Sequence, residues 1–330
     1  MRIGLVVTGL KPLDDGQVSS DHASTRLRAL IPAKGLMDRG HQIALVEDVN
    51  AASLPLDGID VLAVHKVRTD LRDLLRRARR RGVAAIVDIC DHVFIHPQLS
   101  AFYPAMLDAA DGITVASSAM GKIVHAHTGR PSRVVPDAIE GSHRPPRSGQ
   151  GRRLLWFGRS QNIGPLLAAL PSLAGVSGAS LEIVTDLRAG LADTVGRATP
   201  AGIDITLTSW TVAEIDRALS RADLALMPSD TGDGHMVKSS NRLERALWGG
   251  CMAAATPTPA TTDWADLAYV DWDLARSVER ALEDRADWPA RIRAAQHRIA
   301  ETRSPAALAA AWEAAARDAV HCQPSRTSAR

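Results

Sequence analysis

Cysteine is scarce. Cys90, Cys251 and Cys322 are the only three in 330 residues, far apart and without CxxC spacing. An odd count with no framework spacing excludes a disulfide scaffold and a cysteine zinc site, and fits a reducing compartment. Charge imbalance is also missing. Lys and Arg number 39 against 37 Asp and Glu, a net charge of +2, and the isoelectric point is near 8.6. That is not the footprint of a dedicated nucleic-acid binder, so no nucleic-acid partner is expected. No apolar run approaches the roughly 18 residues that a membrane span needs. The opening "MRIGLVVTGLKPLDDG" lacks the length and cleavage site of a signal peptide and reads as a first strand. A cytoplasmic location is the expectation. No repeat of short fixed period is present.

What is present is enough apolar material for a large interior: 45% of residues. The length suits two domains of roughly 150 residues each. Apolar, β-rich runs alternate with helical patterns, as in "HQIALVED", "DVLAVHK", "TDLRDLLRRARRRG" and "VAAIVDI". The runs are continuous rather than alternating, which means strands buried on both faces, hence parallel sheets covered by helices. Pro32 is expected to kink or split the first helix, "DHASTRLRALIPAKGLMDRG". The chemistry changes at "GSHRPPRSGQGRR", which reads as a linker. The expected division is 1–140, an N-terminal Rossmann-like domain; 141–153, the linker; 154–305, a second such domain; and 306–330, a C-terminal helix and tail packing back on the first. The expected fold is α/β, two Rossmann-like domains facing across a cleft lined by strand carboxyl ends.

One stretch, "GHMVKSSNRLERALWGG" from Gly234 to Gly250, concentrates anion-friendly groups at the front of a helix. Asn241 and Glu244 have the spacing of an N-cap and capping box. The helix start would stabilise an anion. Lys238 adds a full charge, and Ser239 and Ser240 add hydroxyls. Glu244 cannot bind phosphate but can accept hydrogen bonds from a ribose diol. The competing reading is a well-capped helix with solvated charges. A second stretch, "LLWFGRSQNIGP", ends a strand at Gly158, where backbone can be approached closely, and follows it with Arg159, whose fork grips phosphate. Asp137 follows a further strand in "RVVPDAIEG". Trp210, after "ITLT", is a candidate for stacking on a base or for the core.

In order along the chain, "GR" after a strand, the strand "DLALMPS", Lys238, "LERALWGG" and the small-residue strand "CMAAAT" resemble the donor domain of GT-B glycosyltransferases, particularly the family 4-like group. The pattern "E-A-L-A-x-G-x-P-V-V-A-T" stands here as Glu244 to Thr256. "VVPDAIE" is similar to the family's "V-I-P-N-G-V-D", and "ASTRLRALIPAKGLMDRGHQIALVED" to its opening. The resemblance implies transfer of a sugar from a nucleotide diphosphate donor, with no cofactor beyond that substrate and no obligatory metal. It gives Arg159 and Lys238 to the diphosphate, the helix start at Ser239 to Asn241 to phosphate, and Glu244 to the ribose. The family's Lys after the Arg is missing from Arg159-Ser160-Gln161-Asn162, and Met236 stands where many members have an acid. Alternatives are a GT-B-fold protein that binds nucleotide or glycan without transfer, and a sugar-nucleotide epimerase.

The acceptor, whether sugar, lipid-linked, protein or small molecule, is expected on the first domain. Polar residues at its strand ends are Asp14, Asp15, Ser24, Arg26, His65, Lys66, Asp88, Asp91, His92 and Ser117. His65, Asp91 and His92 are the candidates for catalysis, Asp91 or His92 as base to an acceptor hydroxyl. A metal cluster of Asp91, His92 and His96 lacks residues to close its coordination sphere. Six arginines from Arg72 to Arg81 read as a solvated basic face; the second reading is peripheral contact with an anionic membrane.

Overall fold

The computed structural model describes residues 1–14, 17–149, 152–176 and 178–322. Asp15, Gln150 and Gly151 of the expected linker, and the last eight residues of the tail lie outside the described residues. The chain divides into two compact units. The first comprises Met1–Ala138, Val237–Ser239 and the segment from Thr302 onward; the second comprises Ile139–Met236 and Ser240–Glu301.

The first unit carries strands β1 (Arg2–Val7), β2 (Gln42–Glu47), β3 (Val61–His65), β4 (Ala84–Ile89), β5 (Gly112–Val115) and β6 (Arg133–Val134). They form one sheet in the order β2-β1-β3-β4-β5-β6, parallel throughout. Every residue of β3 and β4 is buried, as the continuous apolar runs require when helices cover both faces. The second unit carries β7 (Arg153–Phe157), β8 (Ser180–Thr185), β9 (Asp204–Ser209), β10 (Leu224–Met227), β11 (Met252–Ala255) and β12 (Tyr269–Val270). Their order is β9-β8-β7-β10-β11-β12, again all parallel. The α/β class read from the sequence is the one observed, two parallel sheets of six strands each.

The first helix is not split at Pro32. Ala23–Thr25 runs through a π-helical stretch, Arg26–Leu30, into α1 (Ile31–Asp38), with Pro32 in its first turn. The wider turn just upstream accommodates a ring that can neither donate an N–H nor tolerate the preceding carbonyl. Helix α2 (Arg72–Arg80) buries Leu74, Leu75 and Ala78 and ends before Gly82, which takes the left-handed conformation at φ 72°. Its arginines are largely engaged: Arg72 with Asp70, Arg79 with Asp111, Arg81 with Asp57, and Arg77 on the Leu54 carbonyl. Helices α3 (Tyr103–Ala109) and α4 (Ser118–Thr128) follow.

In the second unit, α5 (Gly164–Ala169), α6 (Leu191–Ala198), α7 (Val212–Arg221), α8 (Asn241–Trp248) and α9 (Leu274–Glu283) flank the sheet. The C-terminal helix Pro305–His321 belongs to the first unit. It lies so close to α1 that a methyl on Gly35 would stand 2.2 Å from the Pro305 carbonyl oxygen. Glu313 of the same helix accepts from Arg39 at 2.7 and 2.9 Å and contacts His41 at 2.7 Å. Among the described residues, no helix is long and apolar enough to cross a membrane.

Candidate functional site

In an open parallel sheet, ligands favour the carboxyl edge where the strand order reverses. In the second unit that point lies between β7 and β10. Strand β7 ends at Phe157, and Gly158 donates to the Val184 carbonyl at 3.1 Å. A side chain at 158 would meet the Trp156 ring at 3.2 Å and Arg242 Nη1 at 3.1 Å, so the backbone here is approached closely on two sides. Arg159 follows in extended conformation and caps a short turn, Ser160–Asn162. Ser160 does not hold an open cationic position. Its amide and hydroxyl both donate to Asp186, at 2.7 and 2.8 Å. Burial would raise the Asp186 carboxyl, but Ser160 and Arg188 bring it down to about 2. Beside this turn is a cavity of about 390 Å³ lined by Ser160, Gln161, Arg188, Gly190, Thr194 and Arg197, among others.

Helix α8 meets the same edge. Arg242, in its first turn, donates from Nη1 to the Phe157 carbonyl at 3.3 Å. The expected capping box is not formed. Ser240, not Asn241, is the N-cap, and no side chain caps the helix. The Ser240 hydroxyl donates instead to Glu244 Oε1 at 2.7 Å, while Trp264 Nε1 donates to Ser240 Oγ at 3.1 Å. Glu244 competes for the hydroxyl because it lies one helical turn along and is buried, 3% exposed; a carboxylate there needs a donor. Trp210 is half-buried against the core of this unit.

The first unit has its own reversal point, between β1 and β3. Here β3 ends in His65, and Lys66 follows with φ 41°, a left-handed conformation that a residue with a Cβ resists. His65 Nδ1 hydrogen-bonds Asp88 Oδ2 at the end of β4. Asp88 also accepts from Arg28 Nε at 2.8 Å, Arg28 Nη2 at 2.6 Å and Thr114 Oγ1 at 2.6 Å. Arg28 comes from the π-helical stretch, is fully shielded, and donates further to the Val135 carbonyl at 2.7 Å and to Asp137 at 3.0 Å. Asp137 in turn accepts from Ser239 at 2.5 Å. Burial would raise the Asp88 carboxyl, but Arg28, then His65, hold it well below the ordinary range. It is ionised at neutral pH and can only accept. His65 Nδ1 therefore donates to it, and Nε2 is buried and without a hydrogen-bond partner among the described residues.

Lys66 forms an ion pair with Asp91. Burial would raise the Asp91 carboxyl, yet Lys66, and then Lys238, lower it. Asp91 is thus a weaker base than its position in the sequence suggested. His92 sits edge-on to Phe94 and His127, with ring centroids 6.1 and 6.0 Å away. His96 accepts the amides of Gln98 and Leu99 and so caps a turn. Among the described residues, no group of three or more His, Cys, Asp or Glu is placed to hold a metal.

No protein-family model matches the chain, and no curated protein does. Solved structures do. AviGT4, a glycosyltransferase involved in avilamycin A biosynthesis, superposes with a TM-score of 0.63 at 16% identity, covering 97% of this chain and 98% of its own. Anabaena Alr3699/HepE, solved in complex with UDP, gives 0.66 at 12% identity over 95% and 99%. The E. coli trehalose-6-phosphate structure bound with UDP-2-fluoro glucose gives 0.68 at 9% identity over 96% and 99%. The fold is GT-B.

On this GT-B framework the structure groups the expected residues in two sets. Gly158 and Arg159 share the second unit's carboxyl edge with the start of α8, which brings Ser240, Asn241 and Glu244. His65, Asp91, Lys238 and Ser239 belong to the first unit, with Asp88 and Asp137. Two residues escaped the sequence reading. Arg28 stands among Leu27, Ala29, Leu30 and Ile31, an apolar setting that marked it for burial. Arg242 carried no signal of its own.

Proposed function

We propose that this chain is a glycosyltransferase that moves a sugar from a nucleoside diphosphate donor to a hydroxyl-bearing acceptor. The observation that carries the reading is the tie at 3.3 Å between α8 and the end of β7. It brings the helix bearing the shielded Glu244 to the edge that carries Gly158 and Arg159. In this reading Arg159 and Lys238 neutralise the diphosphate, and Glu244, oriented by Ser240, accepts from the ribose diol. Negative charge grows on the diphosphate as the glycosidic bond breaks, and fixed cationic side chains, rather than a metal ion, stabilise it. On the first unit, Asp88 holds His65 in the tautomer that leaves Nε2 free to take a hydrogen bond or proton from a sugar hydroxyl. The neighbours solved with UDP and UDP-2-fluoro glucose put uridine nucleotides first among candidate donors.

The test is a thermal-shift screen with UDP, GDP, CMP and TDP, followed by donor-hydrolysis assays with the sugar nucleotides of whichever base binds. A transferase releases nucleoside diphosphate, and Arg159→Ala and Lys238→Ala lower that rate by roughly tenfold or more. A protein that binds nucleotide but releases none is a binder, and one that interconverts donors without acceptor is an epimerase. Either outcome sinks the proposal.

A further inference from the structure

One cation at the second unit's edge has no assigned work. Arg242 Nη1 lies 3.3 Å from the Phe157 carbonyl, 3.1 Å from where a Gly158 methyl would be, and its guanidinium carbon 5.8 Å from the Trp156 ring centroid. The guanidinium therefore covers the end of β7 at the point where the strand order reverses. Two buried arginines of this chain are matched by acids, Arg28 by Asp88 and Asp137, and Arg245, three residues along the same helix, by Glu140 and Asp216, whereas Arg242 is half-buried. No carboxylate among the described residues pairs with Arg242. Loss of surrounding water lowers its pKa to about 10, with no acid to raise it again, so it stays charged at neutral pH. A partly desolvated cation without an acidic partner is unfavourable until an anion reaches it. The carbonyl engages one N–H of five, leaving most of a fork whose geometry suits two phosphate oxygens.

We propose that Arg242 is a ligand of the donor's diphosphate, supplying the second cation that the Arg159-Ser160-Gln161-Asn162 turn lacks. The inference rests on the donor reading above but is tested separately from it. No bond forms or breaks at the guanidinium; it binds and orients. Its occupant is a nucleoside diphosphate, and inorganic pyrophosphate is the minimal probe.

The experiment is calorimetric titration of wild type, Arg242→Met and Arg242→Lys with pyrophosphate, UDP, GDP and uridine, together with unliganded melting curves. The expected result is wild-type binding of pyrophosphate and of at least one diphosphate. Arg242→Met should weaken both at least tenfold, Arg242→Lys less, and neither should alter any affinity for uridine. Without ligand, Arg242→Met should melt at or above the wild-type temperature, because an unmatched charge has been removed. If a diphosphate binds equally well to wild type and Arg242→Met, the inference falls while the donor reading survives. If pyrophosphate binds through Arg242 but no nucleoside diphosphate binds, the inference stands and the donor reading falls. If wild type binds neither, the inference is overturned. A second measurement needs no variant: phenylglyoxal should modify Arg242 in the intact chain, and saturating pyrophosphate should protect it. Modification that pyrophosphate leaves unchanged overturns the assignment even if Arg242→Met does not fold.

Discussion

Asp88→Asn is the substitution whose effect can be reasoned most fully. The carboxylate accepts four hydrogen bonds: two from Arg28, one from His65 and one from Thr114. Both Arg28 and Asp88 side chains are fully shielded, at 0% exposure. Asparagine keeps the shape but replaces one acceptor oxygen with an NH2 group that faces donors. Arg28 retains only Asp137 and the Val135 carbonyl. Removing one partner of a buried ion pair costs about 3–5 kcal/mol, a large share of the roughly 5–15 kcal/mol that holds a domain together. With a urea slope of about 2 kcal/mol per molar, the unfolding midpoint should fall by roughly 2 M at pH 7. Thr114→Val, which removes one neutral donor, should cost about 1 kcal/mol. Arg28→Met combined with Asp88→Asn should lose less than the two single losses together, by more than about 1 kcal/mol, because they break one interaction. The pH dependence has a definite sign. The folded carboxyl sits below its ordinary value of 3.8, so its contribution is complete above that pH and disappears as acid carries the solution below it. Circular dichroism across urea and pH reads all of this. A wild-type midpoint for Asp88→Asn, or strict additivity in the cycle, would refute the reasoning.

Three other outcomes follow from the geometry. Gly35→Ala puts a methyl 2.2 Å from a backbone oxygen of the C-terminal helix; the melting temperature should drop, with a loss of about 2–3 kcal/mol, although alanine ordinarily favours a helix. Glu313 is lowered to about 2, chiefly by Arg39 and then His41, so the melting curves of wild type and Glu313→Gln should differ above pH 4.5, Glu313's ordinary value, and converge toward pH 2. Ser240→Ala cuts the link from Trp264 to Glu244. It should cost about 1 kcal/mol of stability and weaken a ribonucleoside diphosphate more than its 2′,3′-dideoxy analogue; equal weakening would remove Glu244 from the ribose.

The strands were legible because parallel strands with helices on both sides must be largely apolar, and "VLAVH" and "AAIVDI" are, apart from His65 and Asp88 near their carboxyl ends. Helix α6 was not. Glycines at 190 and 196 and the flanking "ATPAG" break the helical pattern, and only Leu191 and Val195 of α6 are buried. The α8 boundary was legible but its chemistry was not: spacing cannot say whether a serine hydroxyl turns to a backbone amide or to a carboxylate one turn away. Asp88 and His65 could be named as strand-end residues, yet the Arg28 that joins Asp88 to Asp137 comes from a π-helical stretch that the sequence did not announce. Arg242 shows the other limit. An unpaired guanidinium looks like any helical arginine until the acids that fail to reach it are located.

The first unit is assembled from non-contiguous chain: it stops at Ala138, takes three residues from Val237, and resumes at Thr302. During synthesis, its last helix therefore begins to leave the ribosome about 170 residues after its sixth strand. At ordinary elongation rates that is a wait of roughly 10–30 s. Throughout it, the apolar faces of β1 and β4 that Leu308, Ala309 and Trp312 later help to enclose stand open. A nascent chain of this design has a built-in interval in which a chaperone, or an unwanted neighbour, can reach the half-built sheet.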